Sequence, residues 1–223
     1  MQRYGFRNLI IFFLITWVVS FSFEALSIHT GFPFGWYYYA MPAAISILGV
    51  PLIIIFAYFG TGYFAWMLAH VFTGRYNEKL NGKWIVIVPF IAAFLMVMWD
   101  VSADPVSSTL WKQWIWLQPG AYFDVPIQNF FGWFLVVFIF YQIFTLFLSK
   151  YDRINPLRMP TLAGKLYWTK AAVVYGIIGL QVVFLVRSIN NDITQSMALI
   201  AMFTMIIVAI LAYLAIYNNS ELT

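Results

Sequence analysis

Six stretches of this chain are long, apolar and nearly free of charge: residues 8–27, 51–72, 84–100, 126–148, 168–186 and 197–217. A helix crossing a bilayer needs about 20 such residues, with a range of roughly 17–25. Composition excludes the alternative of buried helices in a soluble protein. Of 223 residues, 63% are hydrophobic and only 9% charged, where a soluble domain carries about 25% charged residues. A chain this short still exposes much of its surface, so lipid must be the solvent for that surface. Without water to satisfy the backbone, only helices or closed barrels cross a membrane. The runs are continuous and lack the two-residue alternation of a barrel strand. The expected fold is therefore all-α: a polytopic integral membrane helical bundle of about six transmembrane helices, in one domain over 1–223.

The stretch 41–50 is apolar but too short to cross alone. It is expected to form a short re-entrant or interfacial helix, and a seventh span if it borrows from its flanks. The first run follows Arg3 and Arg7 but lacks a small-residue cleavage pattern, so it is expected to be retained as a span. An even number of spans puts both termini on one side. Ten basic residues fall with them: Arg3, Arg7, Arg75, Lys79, Lys83, Lys150, Arg153, Arg158, Lys165 and Lys170. Only Lys112 and Arg187 fall opposite. The positive-inside rule then predicts cytoplasmic termini in a cell membrane. With no cysteine, thiolate chemistry and disulfides are excluded, and His29 and His70 are too few for an imidazole-built metal site. No metal or cofactor is expected. The basic excess is a topology signal, and no patch reads as a nucleic-acid surface.

The acids sort to the other side. Glu24, Asp100, Asp104, Asp124 and Asp192 all fall at non-cytoplasmic ends of runs, whereas Glu78 and Asp152 sit among basic residues and Glu221 in the tail. Glu24 and Asp100 end apolar runs, where charge is costly and an ionisable group is a functional candidate. Burial and a helix C-terminus both disfavour a negative charge there, and a neutral carboxyl in a dry site is a proton donor. Asp104 lies one turn beyond Asp100 on the same helix face, and Pro105 makes it the expected last helical residue. It either caps that turn or joins the acid.

Two segments on this side are dense in aromatics: 29–39, with Gly31, Pro33 and Gly35 among Phe32, Phe34 and Trp36 to Tyr39, and 111–116, with Trp111, Trp114 and Trp116. Glycine and proline make the first a folded turn. Trp111 and Trp114 read equally as interfacial anchors. Aromatic faces also line apolar tunnels and stabilise cations, so acid plus aromatic pocket suits carbocation chemistry. His29 could relay protons but is more simply structural, His70 has no assigned role, and Arg187 either pairs with an acid or snorkels to the interface.

The run Glu24, Thr30-Gly31, Pro33-Phe34-Gly35, Tyr37, Tyr39 resembles the opening signature of the membrane carotenoid-biosynthesis hydratases, which include carotenoid 1,2-hydratases and bisanhydrobacterioruberin hydratase. A second block agrees: Trp99-Asp100, Asp104-Pro105, Trp114, Trp116, Gly120, Tyr122-Phe123, Pro126, Asn129-Phe130 and Gly132-Trp133. Asp124 stands where a glycine is expected in that family, so no catalytic role is carried onto it. The resemblance implies addition of water across the terminal C=C of an acyclic (ψ) carotenoid end, giving a tertiary alcohol without a cofactor. The substrates implied are lycopene, γ-carotene or a C50 type. Glu24, Asp100 and Asp104 are the implied catalytic residues. Thr30, Phe34, Tyr37, Tyr39, Trp99, Trp116, Tyr122, Asn129 and Trp133 are the implied substrate-binding ones. Asn129 either holds water or caps the fourth span. Other acid-initiated end-group chemistry such as cyclisation needs the same acid and pocket, and a carotenoid-binding scaffold or a transporter would use the pocket without reaction. No internal repeat favours transport.

Overall fold

The computed structural model describes residues 3–41, 45–76, 78–151, 161–219 and 222. Asp152, Arg153, Arg158 and Glu221 lie outside the described residues, as do 42–44 within the short apolar stretch. Six helices are long and apolar enough to cross a membrane, so the protein is a multi-pass membrane protein with an all-α bundle. The helices are α1 (Gly5–Thr30), α2 (Leu52–Thr73), α3 (Trp84–Asp104), α4 (Ile127–Tyr151) and α5 (Thr161–Leu185). The sixth span joins α6 (Asp192–Ala201) to α7 (Ile207–Tyr217) through a π-helical segment, Met202–Ile206.

Several spans run longer than expected. α5 and the sixth span both begin earlier in the sequence, and α3 does not end at Asp104. Its α-helical part stops there, but the chain continues without a break as a π-helical turn over Pro105–Leu110. Proline lacks only its own N–H, and at the start of a new helical segment that donor is not needed. Glu24 likewise lies more than a turn inside α1, which closes at Gly31 in the left-handed conformation (φ 76°), its N–H bonded to the Ser27 carbonyl at 2.8 Å. Helix-end electrostatics fade within the last turn, so burial, not the dipole, sets the surroundings of Glu24 and Asp100.

The stretch 41–50 is not a helix where it is described. Ser46–Ile47 (β2) and Val50–Pro51 (β3) pair antiparallel around a turn in which Leu48 and Gly49 both take positive φ. Glycine is at home there and proline at 51 suits a strand edge, not a helix interior.

Packing arranges α1 to α4 as a ring. α1 contacts α2 and α4, and α3 packs extensively on α2 and α4. α5 and the sixth span lie outside it, α5 against α2 and α6 against α3. The core is aromatic: Phe12, Trp66, Phe140, Tyr141 and Phe144 are fully buried. At one end the ring is roofed by two short strands, β1 (Tyr37–Tyr39) and β4 (Trp114–Trp116), paired antiparallel with Tyr37 opposite Trp116 and Tyr39 opposite Trp114. The loop before β1 is clamped to the ring. Ser27 Oγ donates to Gly35 O and accepts from Phe34 N, while Gln128 Nε2 donates to the carbonyls of Gly31 and Pro33. Gly132 lets α4 come this close, since a Cβ there would stand 2.8 Å from the Pro33 carbonyl oxygen.

Candidate active site

Under the roof, every helix of the ring contributes at least one polar side chain to a single buried cluster. Glu24 comes from α1, Tyr58 from α2, Asp100 and Asp104 from α3, and Asn129 from α4. The three carboxyl residues are 4%, 3% and 2% exposed respectively, a burial that ionisable side chains show only when partnered. Their partners are neutral. Glu24 Oε1 accepts from Tyr58 Oη at 2.7 Å, and Oε2 accepts from Tyr39 Oη at 2.9 Å and from Tyr37 Oη. Asn129 Nδ2 donates both its hydrogens, to Asp100 Oδ2 at 3.0 Å and to Asp104 Oδ2 at 2.7 Å. Among the described residues, the one ion pair lies elsewhere, between Arg75 and Glu78. No described cation meets the three carboxyls. Burial first, then the adjacent Glu24, hold the Tyr37 and Tyr39 phenols well above their ordinary range, so both remain donors at any physiological pH.

Aromatic rings enclose the cluster. Trp133 stacks on Tyr58 with centroids 4.3 Å apart and planes 6° apart, and Tyr37 packs on Trp116 at 5.0 Å. The cavity they bound measures about 40 Å³ and is lined by Glu24, Asp104 and Asn129 among Phe34, Tyr37, Tyr39, Ile54, Trp114, Trp116 and Trp133. That volume admits water, which needs at least about 10–15 Å³. Asp104 Oδ1 and Trp116 Nε1, both buried, miss good hydrogen-bond geometry, and the Trp114 and Trp116 indoles lie beside the Asp104 carboxyl as its neighbouring donors.

The residues named from sequence divide accordingly. Glu24, Asp104, Phe34, Tyr37, Tyr39, Trp116, Asn129 and Trp133 line the cavity, and Asp100 joins them through Asn129. Trp99 stands behind the wall, packed edge-to-face on Trp133 at 5.6 Å. Thr30 is not in the site. It is exposed, donates to Leu26 O at 2.7 Å and accepts from Phe32 N, finishing the helix turn. Tyr122 is also outside the cavity lining. Its hydroxyl donates to Val101 O at 3.0 Å, and the phenol is pushed up to about 12 by burial and by Asp100 and Asp104. Asn129 is not the cap of α4, which begins two residues earlier at Ile127, and its amide N–H groups go to the two aspartates. Arg187 is exposed and lies over the Phe184 ring, and His29 is exposed at the end of α1. Trp114, equally readable as an anchor, lines the cavity. Tyr58 and Ile54 went unnamed. Tyr58 lies as far into α2 from Leu52 as Glu24 lies from the end of α1 at Thr30. This matched depth in neighbouring antiparallel spans was the available signal. Asp124 is exposed at φ 68°, a backbone region that favours glycine, in keeping with the glycine expected there.

Ring, roof and buried carboxyls define a helical membrane protein with an acid site enclosed near one end of its bundle. The sequence model of the family described as "Carotenoid biosynthesis protein" matches residues 1–202, and the chain belongs to that family. No curated protein and no solved structure matches it.

Proposed function

We propose that the protein is a carotenoid hydratase, adding water across the terminal C=C of an acyclic carotenoid end. The observation that carries this reading is the buried set of three carboxyls, met by neutral donors, beside an aromatic cavity large enough for water. The roles follow from how the hydrogen bonds are distributed. Glu24 receives three phenolic donors, which is the acceptor-only arrangement of a carboxylate, and is suited to stabilising a cation electrostatically. Asp100 and Asp104 share one amide, and two crowded carboxyls do not both ionise. The pair therefore carries the reactive proton.

The proton passes from the aspartate pair to the CH carbon of the terminal double bond. This leaves the tertiary cation on the carbon bearing two methyl groups, between Glu24 and the faces of Tyr37, Trp116 and Trp133. Water held by Asp104 Oδ1 and Trp116 Nε1 adds to that carbon and returns a proton to the aspartate pair. The sum is alkene plus water giving tertiary alcohol, with no change of oxidation state and no need of a cofactor. A cyclase would need the same acid but would exclude water, and a small cavity of a size that admits water, edged by Asp104 and Trp116, favours the hydratase. The site lies at the end of the bundle opposite the N-terminus of α1. With the basic excess on the side of the termini, this supports cytoplasmic termini in the cell membrane and a site towards the outer leaflet. It also supports a single transmembrane domain working on a substrate dissolved in the bilayer.

The test is chromatography and mass spectrometry of carotenoids from cells making lycopene, γ-carotene or an acyclic C50 carotenoid. Those cells carry the wild-type protein, Asp100→Asn or Glu24→Gln. A pigment heavier by one water in the wild type and lost in both variants supports the reading. A rearranged pigment of unchanged mass would replace it with cyclisation. Reporter fusions that put residues 30–40 on the cytoplasmic side would overturn the placement.

A further inference from the structure

The acid cavity holds water but not a long chain, and a conjugated polyene is too stiff to coil into about 40 Å³. The remainder of the substrate must lie against the protein elsewhere. Outside the ring, α3 and α5 part to leave a groove of about 180 Å³, lined by Trp99, Ala103, Ser107, Ile178, Val182 and neighbouring residues. On the α3 side it is lined by Trp99 and Ala103, one turn apart, and by Ser107 of the π-helical segment that continues α3. Asp100 and Asp104 follow Trp99 and Ala103 by one residue, about 100° round the helix, so α3 presents the groove and the acids on different sides. The groove and the acid cavity share a wall. Trp99 lines the groove and packs edge-to-face on Trp133, which lines the cavity and stacks on Tyr58, the donor to Glu24. Two other apolar hollows, one along α1 by Trp17 and Leu52 and one between α5 and α7 by Gly176 and Tyr213, differ in this respect. Among the described ring contacts, neither reaches a cavity-lining aromatic.

We propose that the α3–α5 groove seats the conjugated tail of the acyclic carotenoid while its end group reacts beneath the roof, with Trp99 as the partition between tail and end. The identity of the reacting end rests on the hydratase reading; the groove as a polyene site does not. The groove is lined mainly by apolar side chains, with Ser107 and Gln181 as its polar members, and it lies between two of the membrane-spanning helices.

The experiment fills the groove from either wall with Ala103→Trp or Ile178→Trp in the full-length protein. Two quantities are read. One is the acyclic C40 carotenoid retained per protein after detergent purification, from its visible absorption. The other is the ratio of hydration rates for that carotenoid and for a short isoprenoid alcohol with the same isopropylidene end. Both should fall by about tenfold or more, as expected when a bulky ring occupies the site. If one variant fails to fold, the other, from the opposite wall, is read. Retention and ratio unchanged in the folded variants would overturn the groove. Groove-dependent retention without any hydrated product from wild type would uphold the groove and remove the hydratase reading instead.

Discussion

The bundle buries polar side chains at both ends, and the two ends treat them differently. At the end where α1 begins, His70 is 1% exposed, with Nε2 against Tyr4 Oη at 3.1 Å and Nδ1 against Arg75 O at 2.5 Å. Trp66 Nε1 donates to the same Tyr4 oxygen at 2.9 Å, and Tyr63 and Tyr167 join their hydroxyls. Both ring nitrogens of His70 are used, and aromatic rings pack around it. About 30 Å away along α1, given 1.5 Å per residue from Tyr4 to Glu24, the carboxyl cluster is left incomplete. Asp104 Oδ1 and Trp116 Nε1 are buried without a well-formed hydrogen bond, beside a small cavity. A satisfied buried network rigidifies a fold. An unsatisfied buried group in a native structure calls for an explanation, and a ligand or a reaction is one. Gln142 Oε1 and Thr145 Oγ1 are also buried without a hydrogen bond towards the His70 end, so what sets the carboxyl cluster apart is its acids and its cavity, not unsatisfied atoms alone.

The sharpest way to break that comparison is to neutralise one acid. Asp100→Asn keeps the shape and should lower hydration by about a thousandfold, within the range of a lost general acid, with the thermal midpoint in detergent little changed. Near-normal turnover would make the acid cluster a structural network like the one around His70. His70→Ala should do the reverse. It empties a packed site and strands Tyr4 and Arg75 O, at about 3 kcal/mol of stability, while kcat of the folded fraction stays at the wild-type level. Calorimetry against activity of the same preparation separates the two. Glu24→Gln should lower kcat by about a hundredfold through lost electrostatic stabilisation, with bound carotenoid still retained on purification. Trp116→Phe removes a single donor and should slow water addition by about tenfold. Unhydrated isomers of the substrate would rise in the chromatogram as the cation loses a proton instead. Thr30→Ala is the smallest expected change, within about twofold in kcat/KM, because its hydroxyl serves only the turn after α1. A large effect there would mean that the cavity extends past the described walls.

How far the sequence could be read depends on the range of each interaction. Length and hydropathy are local, so six spans follow from six apolar runs, and charges stranded at run ends mark Glu24 and Asp100 without any contact being known. Of the residues that the motif blocks singled out, Phe34, Tyr37, Tyr39, Trp116 and Trp133 line the cavity, whereas Thr30 and Tyr122 lie outside its lining. Both belong to the motif runs, yet a side chain's direction is set by its local backbone and not by its neighbours in sequence. Helix ends were less legible, since Pro105 reads as a stop, whereas the segment beyond it stays helical where it packs against α6 and β4. Segment 41–50 is equally apolar as helix or ribbon, and the pairing of Ile47 with Val50 decided it.

The membrane class, the number of spans and the concentration of acids at one end were determined by sequence alone, because the cost of placing charge and unpaired backbone in hydrocarbon acts on each segment separately. The tertiary structure decided which groups became a site. Tyr58 reaches Glu24 across 34 positions, Asn129 reaches Asp100 across 29, and the roof joins residues 37–39 to 114–116. Such bonds exist only once four helices have closed into a ring, since each partner satisfies its own hydrogen bonds in lipid only by meeting the other.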